Sequence, residues 1–416
     1  MDNTNKETHD PAPLADRHYM RWDDEGVEKI PPNETEDIKA IGELINKLQK
    51  VQYNTHRHCY TGTHARTHGI VKGTLVVPDD LPKHLKQTMF AHGGEYPVVC
   101  RYSSEPGDPG LDDRIPQPRG FAMKIFNVHG PKLSPPSPSS PTLPTQDLEF
   151  NSTPALELSD AKTTREILSL RLKHGSDKPA LYKALEERTD TALQKARDEV
   201  RNMWLEATTY YSQTPYRFGD YVAKYRLSPE SPIQKSLASE TVPPPSPNDS
   251  TTTTTPTNIL STHLRTFHTT HPATYTLSFQ LLESPPPQSP STQPTTQPTE
   301  TASKVWSPTF HPFQPVATLH IPPQNSFLFS RKAFWEDRIR VDPWLGLEGL
   351  RPLGGSNRVR RGVYGVSGRL RRRLNGYGGI MVVDLVEVGE VPDYDDVDED
   401  KGEEEEGVRG RGKASL

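Results

Sequence analysis

Apolar residues recur at the period of a helix in several stretches of the chain. In residues 34–52 the apolar side chains follow one another at intervals of three and four, which predicts an amphipathic helix. Helices are also predicted at residues 164–173, 178–205 and 357–374. The last of these is rich in arginine, yet its apolar positions still fall at helical spacing.

Short runs of β-branched and aromatic residues predict strands between these helices. The run GIVKGTLVV is one example, and another stretch, ATYTLSFQLL, places Tyr275, Leu277 and Phe279 on one face. The predicted strands comprise residues 69–77, 96–102, 121–128, 273–282, 316–321 and 380–388. Strands dominate the first and third quarters of the chain and helices the rest, which favours an α+β domain built on an antiparallel sheet.

The composition separates a foldable core from segments that cannot pack. Only 32% of the 416 residues are hydrophobic, and 42 are proline. Three insertions rich in Pro, Ser and Thr lack the apolar residues needed to offset the entropy lost on folding. These insertions lie at about residues 131–146, 241–258 and 284–304. We predict disorder there, in the N-terminal residues 1–20 and in the tail 393–416, which leaves one interrupted domain over residues 21–392.

The formal net charge of −5 comes from the tail, because residues 393–406 hold ten acidic residues and one lysine. The rest of the chain is close to neutral, and its arginine-rich runs lack an aromatic platform or a known reading motif, so we expect no nucleic-acid partner. No run of eighteen apolar residues occurs, so no membrane span is expected. The polar first twenty residues and the two cysteines favour a reducing, cytoplasmic location.

The densest group of reactive side chains is HRHCYTGTHARTH, which starts at His56 and ends at His68. Its four histidines and one cysteine suit zinc or copper, but no second Cys/His pair stands at a recognised spacing downstream. The alternative is a set of polar histidines in a surface loop. His68 differs from the others because it leads directly into a predicted strand, where it can lie at the rim of a pocket.

Two further pairs of residues carry candidate chemistry. Arg119 and Gly120 stand between a loop and a strand, which is typical of tight packing against a ligand or another backbone; the alternative is a buried ion pair of Arg119 with a nearby aspartate. Arg360 and Tyr364 lie one turn apart if residues 357–374 are helical. A guanidinium beside a phenol favours the phenolate, which is a ligand for ferric iron, although such a pair more commonly belongs to a solvated helix face.

Six segments occur in the order in which the haem catalase superfamily carries similar ones, between about residues 53 and 387. The segments are RTHGIVKGTLVV, VVCRYSSEPGD, QPRGFAMKIFNV, QDLEFNSTPALEL, YYSQTPYRFGDYVAKYRLSP and DPWLGLEGLRPLGGSNRVRRGVY. The chain most resembles the small, core-only catalase-like haem proteins. The resemblance implies a ferric haem cofactor and an antiparallel eight-stranded β-barrel around it, with flanking helices.

The resemblance also implies a role for each matching residue. His68 and Asn151 match the distal catalytic pair that faces the peroxide, and Ser103 matches the serine that orients the distal imidazole. On the other side of the haem, Tyr364 matches the ligand of the iron, since tyrosine is the haem ligand of catalase. Two arginines complete the set: Arg360 matches the residue that keeps the tyrosine ionised, and Arg101 matches one that meets a haem propionate.

The function implied by the resemblance is the processing of hydrogen peroxide, by dismutation or by a peroxidase reaction with an organic electron donor. One departure from true catalases is Thr67, which stands immediately before His68 where catalases commonly have valine. The sequence Thr-His-Gly also occurs in allene oxide synthases, so a fatty-acid hydroperoxide isomerase is a second hypothesis. A haem-binding protein with little turnover is a third, and the resemblance leaves a homo-oligomer open.

Overall fold

The structure is a computed structural model that describes residues 13–14, 17–105, 108–133, 144–175, 177–244, 257–284, 299–377 and 388–393. Most of the three predicted insertions, of the N-terminal segment and of the acidic tail therefore lie outside the described residues. The same holds for residues 380–387 of the last predicted strand.

Nine strands, all paired in antiparallel fashion, form one sheet in the described part of the chain. They are β1 Arg66–Val77, β2 Gly94–Ser104, β3 Arg119–Phe126, β4 Thr145–Asn151, β5 Tyr210–Tyr211, β6 Tyr216–Phe218, β7 Tyr221–Pro229, β8 Ala273–Leu281 and β9 Phe313–Ile321. The order is β5-β4-β3-β2-β1-β9-β8-β7-β6, and β5 also pairs with β7. Eight strands thus close into a barrel, with β6 as an extra hairpin strand on β7. The predicted eight-stranded antiparallel barrel is confirmed.

The barrel is held by one large hydrophobic cluster to which all nine strands contribute. Its largest fully buried members are aromatic, and Tyr102 and Tyr275 join opposite parts of the barrel through a 2.9 Å contact between their hydroxyl oxygens. Buried phenols need such partners, because an unpaired polar group in an apolar core costs free energy.

Eight helices flank the barrel in the described residues. They are α1 Glu34–His56, α2 Ala161–His174, α3 Lys178–Glu186, α4 Thr191–Ala196, α5 Pro232–Leu237, α6 Ile259–Thr270, α7 Phe329–Arg338 and α8 Gly355–Leu374. Helices α1, α2 and α8 share a second hydrophobic cluster that includes Ile41, Ile45, Leu168, Val359 and Val363. The amphipathic faces predicted at residues 34–52 and 357–374 therefore pack against each other.

The prediction of one long helix over residues 178–205 is wrong, because α3 ends at Glu186 and α4 begins at Thr191. Between them the Arg188 guanidinium pairs with Asp190 and with Glu166 of α2, which stabilises a turn at this point. No described helix combines the length and the apolar character that crossing a membrane requires.

Candidate functional site

A cavity of about 270 Å³ lies where the barrel meets the helices. Strands β2, β3 and β4 form one wall, α8 forms another, and α1, α2 and the loop before β1 complete it. Its apolar surface comes from Ile41, Ile45, Phe121, Phe150, Val359 and Val363. Polar and charged side chains project into this apolar shell, which is the usual character of a small-molecule site.

His64 brings an imidazole to this cavity from the loop that precedes β1. Its Nδ1 lies 3.1 Å from the hydroxyl of Ser103 on β2, and its Nε2 has no hydrogen-bond partner among the described residues. The backbone of His64 is left-handed, with φ of 53°, and its N–H donates to the carbonyl of Glu105. The ring is thus fixed at one nitrogen and available at the other.

Gly120 on β3 makes room for this ring. A Cβ atom at Gly120 would lie 2.3 Å from Nδ1 of His64 and 2.8 Å from the hydroxyl of Ser103, so no other residue fits without displacing the imidazole. The close approach predicted for Arg119 and Gly120 is therefore made to a side chain of the cavity. The Arg119 guanidinium donates to Ser104 and Asn202.

Replacing Gly120 by Ala should push the His64 imidazole out of place and slow any reaction that depends on it by about 100-fold, since displacements near 1 Å cost that much. The Gly94→Ala variant is the matched control, because Gly94 stands at the opposite end of β2 from Ser103 and does not line the cavity, and a Cβ there would meet only the ring of Tyr96 at 3.7 Å or more. The imidazole NMR signals of His64 in the ligand-free protein test this, because they should shift in Gly120→Ala and stay in place in the control. Unshifted signals in Gly120→Ala would show that Gly120 does not set the ring's position.

The structure brings His64, and not His68, to the cavity. His68 is fully buried elsewhere, with Nε2 2.6 Å from the hydroxyl of Ser104 and Nδ1 3.1 Å from that of Ser261. The pairing of β1 with β2 shifts register between Thr67 and Gly69, so an irregularity sits at the position of His68. Because strand side chains alternate between faces, such a shift redirects the residue at which it occurs.

Both histidines are held neutral by their surroundings. Burial, followed by the charge of Arg101, lowers the pKa of His64 to about 3, and burial with nearby Arg119 lowers the pKa of His68 well below its usual value. Burial lowers the pKa of a third histidine, His268, to about 3. A neutral imidazole keeps a lone pair with which it can accept a proton.

We expect the ligand-free protein to lose stability as the pH falls from about 6.5 to about 3, because unfolded histidines take up protons in this window and the folded ones do not. Replacing His268 by Phe removes one such group. The slope of the unfolding free energy against pH should then fall by up to about 1.4 kcal/mol per pH unit. Urea unfolding at a series of pH values measures the slope, and an unchanged slope would contradict the burial of a neutral imidazole.

Strand β4 directs two polar side chains into the cavity, Glu149 and Asn151, which are two residues apart and so share one face. Asn151 lines the cavity, and its Oδ1 accepts a 3.4 Å hydrogen bond from the hydroxyl of Thr153. Glu149 was not anticipated from the sequence. It could have been found by noting that Glu149 stands two residues before Asn151, because side chains two apart on a strand point to the same face.

On the opposite wall, α8 presents Arg360 and Tyr364 to the cavity one turn apart, as predicted. The Tyr364 hydroxyl donates to Oε2 of Glu149 at 2.7 Å. The Arg360 guanidinium donates at 3.0 Å each to the hydroxyl of Thr214 and to Oδ1 of Asn357. The phenol, the carboxyl and the guanidinium thus meet in a partly buried cluster.

The expected effect of Arg360 on Tyr364 is present but outweighed in the protein alone. Burial and then the carboxyl of Glu149 raise the pKa of Tyr364 well above its usual value, while Arg360 acts in the opposite direction. Burial likewise raises the pKa of Glu149 to about 7. A further positive charge is therefore needed at the phenol oxygen before it becomes a phenolate.

Two arginines that line the cavity each have one nitrogen without a hydrogen-bond partner among the described residues. The Nε atoms of Arg340 and Arg371 are buried and make no hydrogen bond among the described residues. Such atoms incur a desolvation cost, so they indicate a site for an acidic ligand. Arg101 lines the same cavity, and its Nε and Nη2 donate to Thr67 and to the carbonyl of His64.

The remaining histidines of the dense cluster lie apart from the cavity. His56 pairs with Asp108 and His58 with Asp337, both at the partly exposed surface. Within the described ranges no group of three or more His, Cys, Asp or Glu side chains could hold a metal ion. In the part of the chain that the structure describes, these contacts gather the candidate polar side chains around one cavity between the barrel and α8.

Comparison with known proteins shows what this arrangement resembles. No protein-family model matches the chain. Catalases of Schizosaccharomyces pombe, Danio rerio and Cavia porcellus are 38%, 36% and 36% identical to it over 68, 59 and 55 residues. These matches cover 16%, 14% and 13% of the chain and only 13%, 11% and 10% of the catalases.

Solved structures extend the likeness over most of the chain. A fungal catalase superposes with a TM-score of 0.53 at 14% identity, covering 88% of this chain and 74% of the other. Catalase A from Saccharomyces cerevisiae gives 0.51 at 14% identity and covers 88% and 77%, and a bacterial catalase gives 0.50 at 15% and covers 84% and 64%. The fold is that of the catalases. The local sequence matches add a likeness to catalases over short segments of the chain.

Proposed function

We propose that this chain is a haem-dependent oxidoreductase that processes peroxide, as a catalase or a peroxidase. The observation that carries the proposal is that one buried cavity brings together Tyr364 and Arg360 from α8 and His64, Ser103 and Asn151 from the barrel side. Residues far apart in the sequence meet here with the types of side chain that the catalase resemblance calls for, with His64 at the cavity instead of His68.

The residues present fit a haem. Tyr364 is the partly buried oxygen donor that would hold the iron, and the apolar walls suit a porphyrin. The orphaned Nε atoms of Arg340 and Arg371 offer charge-assisted hydrogen bonds to the two propionates. When bound, the haem supplies the redox chemistry, including the electrons that break the O–O bond.

His64 performs the acid–base work in this proposal. Ser103 holds Nδ1, so the partner-free Nε2 can accept a proton from one peroxide oxygen and return it to the other, which leaves as water. The low pKa of His64, caused mainly by burial, keeps the ring neutral, so that its Nε2 carries a lone pair. Asn151 has amide donors on the same side of the cavity with which to orient the peroxide.

Glu149 accepts a hydrogen bond from the Tyr364 phenol, with 2.7 Å between the phenol oxygen and Oε2. This carboxyl can accept the phenol proton when a positive ion takes its place at the oxygen. Arg360 then faces an anion, and its three contacts with Thr214, Tyr216 and Asn357 keep it in position.

The hydroperoxide isomerase hypothesis was based on Thr67, and the structure adds no support for it. The Thr67 hydroxyl accepts a 2.9 Å hydrogen bond from Nε of Arg101, and Thr67 does not line the cavity. A contact between this hydroxyl and a bound peroxide therefore has no basis in the described geometry.

The test is to purify the protein, supply haemin and record its spectrum and its reaction with hydrogen peroxide. We expect a high-spin ferric spectrum of the tyrosinate type, followed by oxygen release or by oxidation of an added phenolic donor. A colourless protein that stays so after haemin addition would overturn the proposal. A haem-loaded protein inert toward both reactions would leave only the haem-binding hypothesis.

A further inference from the structure

The C-terminal ends of three helices meet at the surface, outside the cavity. Asn375, the residue after α8, accepts a 2.8 Å hydrogen bond from the backbone N–H of Cys59. Its side-chain amide donates at 3.1 Å to Oδ1 of Asp337, near the end of α7. Cys59 follows shortly after His56, the last residue of α1. Helices α1, α7 and α8 therefore end side by side.

This place on the surface is rich in arginine. We call it the basic surface, and it consists of Arg57, Arg338, Arg369, Arg372 and Arg373. All of these except the half-buried Arg372 are exposed, and the exposed four form no ion pair with a described carboxylate. The Arg338 guanidinium instead lies 5.9 and 5.8 Å from the ring centres of Phe334 and Tyr377.

The dipoles of the helices account for only part of this cluster. A positive charge is favourable in the last turn of a helix, where Arg372 and Arg373 stand. Like charges three or four residues apart on a helix repel each other, however, and Arg369 is so placed relative to both. Asp337, the carboxylate described above, is already contacted by Asn375 and Tyr377. The basic surface thus lacks a counter-charge.

The chain carries an acidic segment that starts nearby. Asp393 lies 2.6 Å from Nζ of Lys72 on β1 and 2.5 Å from Nη2 of Arg331, near the start of α7. Residues 394–406, which follow it, hold nine acidic residues and one lysine. From Arg331 to Arg338 the helix rises by about 10 Å, whereas thirteen extended residues span about 40 Å. The acidic segment is therefore long enough to reach the basic surface.

We infer that residues 394–406 dock on the basic surface of the same chain through ion pairs that exchange with one another. Single exposed ion pairs are weak. Attachment at Asp393 compensates for this, because a short tether gives an effective concentration of the order of millimolar. The inference concerns the chain without any ligand and does not depend on the proposed function.

Paramagnetic relaxation in the ligand-free, full-length protein tests the contact. A spin label is attached to Gly407→Cys, directly after the acidic segment, and the buried Cys59 and Cys100 are shielded from the reagent. We expect the label to broaden the backbone amide signals of residues 369–377 in about 10 mM salt. The broadening should fall by about threefold or more in about 1 M NaCl, where the Debye length is about 3 Å.

Charge reversal on each side identifies the partners. The combined change Arg369→Glu and Arg373→Glu should reduce the broadening by about threefold or more, since attraction becomes repulsion. Adding Glu403→Lys and Glu404→Lys to that variant should restore part of it. Arg265→Glu is the matched control, because Arg265 is an exposed arginine of α6 without an ion pair among the described residues, and it should leave the broadening unchanged.

Three results would overturn the inference. The first is the absence of broadening at low salt, and the second is broadening that the reversal of Arg369 and Arg373 leaves unchanged. The third is broadening that passes to isotope-labelled chains without a spin label when these are mixed with spin-labelled chains, since the segment would then dock on a second copy. Because no step uses haem, a chain that binds no haemin would still give these signals.

Discussion

Replacing His64 by Gln is expected to slow peroxide cleavage by about 100- to 10,000-fold while haem still binds, because a positioned acid–base group contributes that much. The Nε2 of His64 has no partner among the described residues, and no second imidazole lines the cavity there. Stopped-flow measurement of the reaction between the ferric protein and hydrogen peroxide gives the rate directly.

His68→Gln is the matched control for this experiment. His68 lies outside the cavity between two serine hydroxyls, so its loss should lower stability by about 1–3 kcal/mol as those partners go unsatisfied. The folded, haem-loaded fraction should react within about threefold of the wild-type rate. If instead His68→Gln loses the reaction and His64→Gln retains it, the assignment of the acid–base group to His64 is wrong.

Tyr364→Phe is expected to abolish the tyrosinate-type spectrum and to weaken haemin binding strongly, because it deletes the oxygen that would coordinate the iron. The change also leaves the buried Glu149 carboxyl without its 2.7 Å hydrogen bond. Haemin titration followed by absorbance measures both effects in one experiment.

Tyr275→Phe removes the same atom from a buried tyrosine in the barrel core, where the hydroxyl contacts Tyr102 and the carbonyl of Glu206. It should destabilise the fold by about 1–3 kcal/mol and leave the haem spectrum unchanged. A wild-type spectrum in Tyr364→Phe, or the loss of that spectrum in both variants, would show that Tyr364 is not the iron ligand.

Much of the barrel could be predicted from the sequence because its long strands carry β-branched and aromatic runs, as in β1, β2 and β8. Strand β4 escaped prediction since its sequence, TQDLEFN, is polar although six of its seven residues are buried. Its Asp147 is balanced by Lys124 at 2.7 Å, and the side chain of Gln146 accepts from the amide of Leu347. These partners are distant in the sequence, so the local pattern of residues around β4 cannot reveal them.

Some of the residues that line the cavity could be anticipated from the sequence, and others, His64 and Glu149 among them, could not. Asn151, Ser103 and Arg101 line the cavity because undisturbed strands alternate their side chains regularly. The same alternation does not bring His68 to the cavity, because the pairing of β1 with β2 shifts register beside it, and a single sequence does not reveal such a shift. Glu149 was missed because its partner, Tyr364, lies more than two hundred residues away.

Closure of the barrel has a consequence for how this chain can change in length. The Pro-rich stretches fall mainly in the connections from β3 to β4, from α5 to α6 and from β8 to β9. The cost of a longer connection grows only with the logarithm of its length. Residues can therefore be inserted into these connections, or removed from them, without displacing the strands and helices that line the cavity.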